Sequence, residues 1–166
     1  FDKYGEEYKV MGLAPYGNPI YKKEISKLFL GDFDLNLDYF NHDKKNYNYK
    51  FEGTPIQETL LNKKYYDILG KPRTSSEKIA QFHMDVAASL QKIFEEKVMI
   101  LINQNLSICN KNLVLAGGCA MNSSCNGKII EKNIFENIFI PPAPGDSGGA
   151  IGSALVVYER YNKLIG

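Results

Sequence analysis

The sequence has almost no net charge, few cysteines and histidines and no long apolar run, and each lack removes a class of function. Twenty basic residues against nineteen acidic ones leave a formal charge of +1. No global field then draws the chain to nucleic acid or to an anionic membrane surface, and any phosphate must be bound locally. The three cysteines, Cys109, Cys119 and Cys125, are odd in number and lack C-x-x-C spacing. Neither a disulfide framework nor a zinc knuckle is indicated, and a reducing cytoplasm is the expected compartment. No apolar run approaches the roughly 20 residues of a bilayer span, so no membrane partner is expected, and no basic-then-apolar leader opens the chain. Phe1 in place of Met, directly in motif-like sequence, suggests a piece of a longer protein. The G-x-G-x-x-G and G-x-x-x-x-G-K-[ST] fingerprints are missing too.

What is present suits a single α/β domain over residues 1–166. With 44% apolar residues, a chain of this length can bury a proper core. Asn18 followed by Pro19 reads as the cap and first residue of a short helix through Tyr21, Ile25, Leu28 and Phe29, ended by Gly31. Phe33, Leu35, Leu37 and Tyr39 then alternate with polar residues, as do Tyr47, Tyr49 and Phe51 beyond a polar turn at 41–46. That pattern predicts an antiparallel hairpin insertion over about 32–52 with one apolar face. A short helix is expected over 54–62, then a turn-rich stretch from Leu69 to Ser76. Thr74 and Glu77 form a capping box before the longest helix, whose stripe runs from Ile79 through Phe82, Val86, Leu90, Ile93 and Met99 to about Gln104. His83 beside that stripe reads as packed or hydrogen-bonded rather than as a ligand, and His42 in the hairpin turn as solvated.

The last third alternates strand, glycine turn and helix twice. Strand residues Leu113–Ala116 lead to Gly117-Gly118 and a helix capped by Asn122 or Ser123 and reaching Glu131. Strand residues Asn137–Ile140 lead to Pro144-Gly145-Asp146-Ser147-Gly148-Gly149 and a helix to about Lys163. Such units imply a parallel pair whose glycine turns emerge side by side at the carboxyl edge of the sheet, where open α/β sheets take ligands. Helix N-termini attract anions, and an acid at the same turn suits a cation that bridges to the anion. Asp146 alone can equally cap the helix. Gly148, Gly149, Gly152, Ser153 and Ala154 let a backbone or ligand approach closely, at about 1 kcal/mol of helix propensity per glycine relative to alanine.

Three segments, taken together, carry a resemblance: Glu7-Tyr8-Lys9-Val10-Met11-Gly12-Leu13-Ala14-Pro15-Tyr16-Gly17, Leu115 to Asn122, and Pro141 to Gly152, with Asp85-Val86-Ala87-Ala88-Ser89-Leu90-Gln91 between them. They resemble the NodU-type O-carbamoyltransferases. The nucleotide-handling domain of that family is related to the tRNA threonylcarbamoyl-adenosine enzymes and, more distantly, to the actin, sugar-kinase and Hsp70 ATPases. The resemblance implies the carboxyl-terminal half of a ribonuclease H-like, actin-like ATPase domain, a mixed sheet with flanking helices. It implies transfer of a carbamoyl group to a hydroxyl acceptor from carbamoyl-adenylate, made from ATP and carbamoyl phosphate in a separate carboxyl-terminal domain. By position, Glu7, Lys9, Gly12, Gly17, Gly117, Gly118 and Asn122 become nucleotide-binding residues. Asp146 becomes the carboxylate that joins two histidines around a divalent metal, with iron expected. The histidines belong to an H-x-x-x-H motif in a preceding half-domain, and neither His42 nor His83 matches it. Lacking that half and the adenylate-forming domain, the chain alone is expected to be inactive. No catalytic base and no acceptor pocket are identified. Two other readings are a threonylcarbamoyl-adenosine-type tRNA enzyme, disfavoured by the first motif and the lack of a basic face, and a non-catalytic nucleotide-binding module of the same superfamily.

Overall fold

The computed structural model describes residues 5–43, 49–51, 55–57, 60–108 and 111–165. They form a mixed α/β chain in two units, 1–101 and 102–166.

In the first unit, helix α1 (Glu7–Leu13) runs into a 3-10 turn, Ala14–Tyr16, with Pro15 in its first turn. Proline is tolerated there because a first-turn N–H needs no partner. Helix α2 is short, Lys22–Ser26. Strands β1 (Phe29–Leu30) and β2 (Asp34–Leu35) pair antiparallel, with Phe29 opposite Leu35. Gly31 between them adopts φ +70°, a conformation glycine takes without Cβ strain. A second antiparallel pair joins β3 (Tyr49–Phe51) to β4 (Pro55–Gln57). Helix α3 (Tyr66–Leu69) stops at Gly70, φ +75°, and helix α4 spans Gln81–Asn105.

Several expectations for this unit are corrected. The helix predicted from Pro19 to Phe29 shrinks to α2, because the backbone N–H of Asn18 and Tyr21 are held by side chains of α4 and Phe29 is drawn into β1. The hairpin predicted across 33–51 is replaced by two other pairings, β1 with β2 and β3 with β4. Leu37–Tyr39 forms a 3-10 turn in which the Asn36 side chain accepts from the Asp38 N–H at 3.3 Å. The alternation there belongs to a turn rather than a strand, with Leu37 exposed and Tyr39 half-buried. Tyr47 and part of the expected turn lie outside the described residues. Within the helix expected over 54–62, residues 55–57 are strand. The Thr74 and Glu77 box forms on one side, the Thr74 N–H donating to Glu77 Oε2 at 2.8 Å, but it closes a turn that precedes α4 by several residues.

The core of this unit gathers Ile25, Leu28, Phe40, Leu69 and Ile93, with Tyr21, Tyr65, Val86 and Leu90 packed against it. Full burial of an isoleucine such as Ile25 contributes about 1.5–3 kcal/mol. Burial also pushes the Tyr65 phenol above its ordinary pKa.

The second unit follows expectation closely. Strand β5 (Asn112–Val114) pairs parallel with β6 (Asn137–Phe139), Leu113 opposite Ile138. A 3-10 turn, Gly118–Met121, precedes helix α5 (Ser123–Glu131), and helix α6 covers Gly148–Ile165. Asn122 is the α5 cap, its Oδ1 accepting from the Cys125 N–H at 2.9 Å, and Cys125, Ile129 and Phe135 are buried. No helix among the described residues is long and apolar enough to cross a membrane.

Candidate functional site

Two glycine turns meet beyond the carboxyl ends of β5 and β6. The ladder continues past the strands through the Leu115 N–H donating to Phe139 O at 3.0 Å, and the Gly117 N–H then donates to Pro144 O at 2.7 Å. Gly117 has φ +90° and ψ 170°, a region that a side chain would strain. Met121 packs on the second turn so closely that a Cβ on Gly145 would lie 2.9 Å from its Cε. Asn126 Nδ2 donates to Ala120 O at 2.8 Å and fixes the first turn from α5. The parallel pair therefore places the segments containing Gly117, Gly118, Asn122 and Asp146 together, as their spacing predicted.

The Asp146 turn differs in detail from the expected amide cradle. The N–H groups of Gly148, Gly149 and Ala150 donate to the carbonyls of Gly145, Asp146 and Ser147 at 2.9, 3.1 and 3.3 Å. The first turn of α6 thus already occupies its own amides with i to i+3 bonds. Asp146 is exposed, and among the described residues no hydrogen bond or ion pair of its carboxylate is found, so the helix-cap reading gains no support. Gly148 is demanded by packing, since a Cβ there would fall 2.2 Å from Ala143 O. Gly118, Gly149 and Gly152 face open space.

Gly152→Ala is therefore expected to stabilise the folded chain by about 0.5–1 kcal/mol, the propensity gain at an unobstructed helix position. Thermal unfolding measures it, and a loss of stability would mean that something fills that space.

Among the described residues no group of three or more His, Cys, Asp or Glu is placed to hold a metal ion. The residues present do not complete a metal site, and Asp146 supplies one carboxylate only. His83 Nδ1 accepts from the Ala80 N–H at 2.9 Å just ahead of α4, which bears out its hydrogen-bonded reading and leaves the neutral ring's proton on Nε2. His42 packs edge-on to Phe40, ring centroids 5.5 Å apart. Its Nδ1 is buried with no hydrogen-bond partner among the described residues, so the solvated reading is corrected.

The first motif lies in the other unit. Glu7 and Lys9 are on α1, where Lys9 pairs with Glu6, and Gly12 occupies its last turn in open space. Gly17 presses against α4: a Cβ there would lie 2.1 Å from Met84 O. Sequence reasoning missed what holds this segment. Asp85 Oδ1 accepts from the Asn18 N–H at 2.8 Å and from Gln81 Nε2 at 2.9 Å, and Gln81 Nε2 also reaches Tyr16 O at 3.1 Å. Ser89 Oγ accepts from the Tyr21 N–H at 3.0 Å and donates to Asp85 O at 2.6 Å. The available signal was the polar spacing Gln81, Asp85, Ser89, one row at i, i+4, i+8 along the first half of the helix. A cavity of about 570 Å³ opens beside α1, with Val10, Leu13, Phe82, His83, Lys71 and Arg73 in its wall. That volume is in the range of ligand pockets. Of the expected nucleotide residues in this unit, only Lys9 borders it. The Arg73 guanidinium is engaged locally, donating to the carbonyls of Thr74 and Glu77.

The glycine turns thus lie at the carboxyl ends of the parallel strands of a mixed α/β protein, the edge at which open α/β sheets take ligands. The family model described as Carbamoyltransferase N-terminus matches residues 1–155, and the chain belongs to that family of NodU and NolO relatives. It is 43% identical over 164 residues to an uncharacterised protein of Synechocystis, covering 93% of this chain and 24% of that one. It is 37% identical to nodulation protein NolNO of Sinorhizobium fredii, covering 95% of this chain and 21% of that one. It is 35% identical to nodulation protein NolO of Bradyrhizobium diazoefficiens, covering 95% and 26%. The chain spans about a quarter of the length of these relatives.

Proposed function

We propose that this chain is the second lobe of an actin-like, ribonuclease H-like ATPase domain in an O-carbamoyltransferase, and that its paired glycine turns bind the adenylate. The observation that carries the reading is the Gly117 to Pro144 hydrogen bond, which joins the two turns into one surface. Family membership supports carbamoyl transfer as the reaction class. In that reaction the acceptor oxygen attacks the carbamoyl carbon of carbamoyl-adenylate, a new C–O bond forms, and the carbamoyl–phosphate C–O bond breaks. AMP leaves with the electron pair, and the acceptor proton passes to solvent.

Within this reading Gly117 and Gly118 let the protein backbone approach the nucleotide closely, and Asn122, whose Oδ1 caps the helix behind the turn, contacts the nucleotide. Glu7, Lys9, Gly12 and Gly17 line the sugar and base from the first motif. Asp146 is one donor toward a divalent ion, with iron expected, whose remaining ligands are proposed to come from an upstream half-domain. The adenylate is proposed to be made from ATP and carbamoyl phosphate in a further carboxyl-terminal domain.

The test is an assay of the full natural protein that carries this sequence, with ATP, ¹⁴C-carbamoyl phosphate and a panel of hydroxyl acceptors. Label on an acceptor with release of AMP is expected. ATP binding without transfer to any acceptor would favour the non-catalytic module, and label on tRNA the rival enzyme. Residues 1–166 purified alone are expected to give no transfer above the buffer blank, and turnover by that piece would refute the two-lobe assignment.

A further inference from the structure

We infer that Asp85 is a positioning residue for the first motif, fixing the turn at Tyr16–Tyr21 from helix α4 so that the preceding segment meets the nucleotide in one geometry. The inference rests on the reading that this motif contacts nucleotide. The segment between α1 and α2 contains Pro15 and Pro19, so it has two fewer N–H groups with which to hold itself. Three side chains from successive turns of α4 hold it instead: Gln81 at the Tyr16 carbonyl, Asp85 at the Asn18 N–H and Ser89 at the Tyr21 N–H. Gly17, at the centre, brings the backbones of the two elements into direct contact.

The choice of residue at 85 is informative. Asp85 is 7% exposed and Ser89 fully buried, on a helix whose other buried positions are Ala87, Ala88, Ile93 and Ile102 and, a turn or more further on, the hydrogen-bonded Gln91 and Glu95. A buried carboxylate is costly unless its lone pairs are filled. No ion pair of Asp85 is found among the described residues, and the two hydrogen bonds to its Oδ1 come from groups that dock the motif. A side chain present only for packing would be apolar here. An acid that accepts from Asn18 and is tied through its own carbonyl to Ser89 is arranged to define a position.

The experiment uses the full natural protein and ATP as the probe. Calorimetric titration of Asp85→Ala is expected to show ATP binding weakened tenfold or more, Asp85→Asn to stay within about threefold of wild type because its Oδ1 can accept the same two bonds, and Ser89→Ala to fall between them. Amide exchange is expected to lose protection at Asn18 in Asp85→Ala and at Tyr21 in Ser89→Ala, with the peptide 123–131 unchanged. Asp85→Ala that binds ATP like wild type, or that leaves Asn18 protected, overturns the inference. If Asp85→Ala does not fold, Ser89→Ala decides: unchanged ATP affinity with Tyr21 exposed overturns it. Wild-type protein that binds no ATP would instead sink the nucleotide reading itself.

Discussion

Asp146→Ala in the full natural protein is expected to lower carbamoyl transfer by about two orders of magnitude or more, on the scale of losing a ligand or charged contact at a reacting centre, with almost no change in stability. The second half follows from placement. Asp146 is exposed and its carboxylate holds nothing together among the described residues, and such surface changes usually stay within about 0.5 kcal/mol. Asp146→Asn keeps the shape and removes the charge. It is expected to lose as much transfer as the alanine variant if the carboxylate serves a cation, and metal content per protein should fall in both. A cap role predicts the opposite pattern: asparagine rescues, alanine costs about 1 kcal/mol of stability, and transfer is little affected. Steady-state rates and thermal unfolding of the same three proteins separate the two.

Gly17→Ala is expected to be the most damaging small change to the fold of the first unit. Its φ of −120° is ordinary extended backbone, so the demand is one of space. The added methyl would meet Met84 O at 2.1 Å, Met84 C at 2.2 Å and Asp85 N at 2.5 Å. All three are backbone atoms of α4, and none can rotate aside. Overpacking of this kind costs about 1–3 kcal/mol, a fall in Tm of roughly 2–12 °C for a domain of this size. Gly12→Ala, five residues earlier in the same motif, is expected to raise Tm, because the position is helical and its Cβ would meet nothing. Loss of ATP affinity in that more stable variant would show that Gly12 is kept for a ligand and not for the fold.

The parts of the fold that were legible in the sequence are those decided locally. The α4 stripe from Phe82 to Leu101 announces its period over about five turns, and the last third carries its own punctuation in Gly117, Asn122 and Gly148. Between Asn18 and Asn62 the elements are two to five residues long, too short for periodicity to separate turn from strand. There Gly31 with its positive φ closed β1 on β2 where a helix end was expected. The Leu37 alternation was coiled by the Asn36 side chain, and α2 was cut short by anchors on α4.

The same distinction governs the candidate site. The meeting of the two glycine turns follows from two strand-turn-helix units in succession, which fix the direction of both strands. The anchoring of the first motif could not be read that way. Asn18 and Asp85 are 67 residues apart, and only the three-dimensional path of the chain tells which donors face the polar row on α4. Asp146 was legible as a lone acid in a glycine turn, but the internal bonds of Gly148, Gly149 and Ala150 were not. Those bonds make the carboxylate, more than the helix amides, the prominent chemical feature of that turn.

The most direct measurement is amide hydrogen exchange of the full natural protein with and without saturating ATP. Slowed exchange is predicted in two peptides, Leu115–Asn122 and Pro141–Gly152, and in the segment Glu7–Gly17. Protection confined to other parts of the protein, with both glycine turns exchanging at the unliganded rate, would contradict the assignment of the paired turns as the adenylate site.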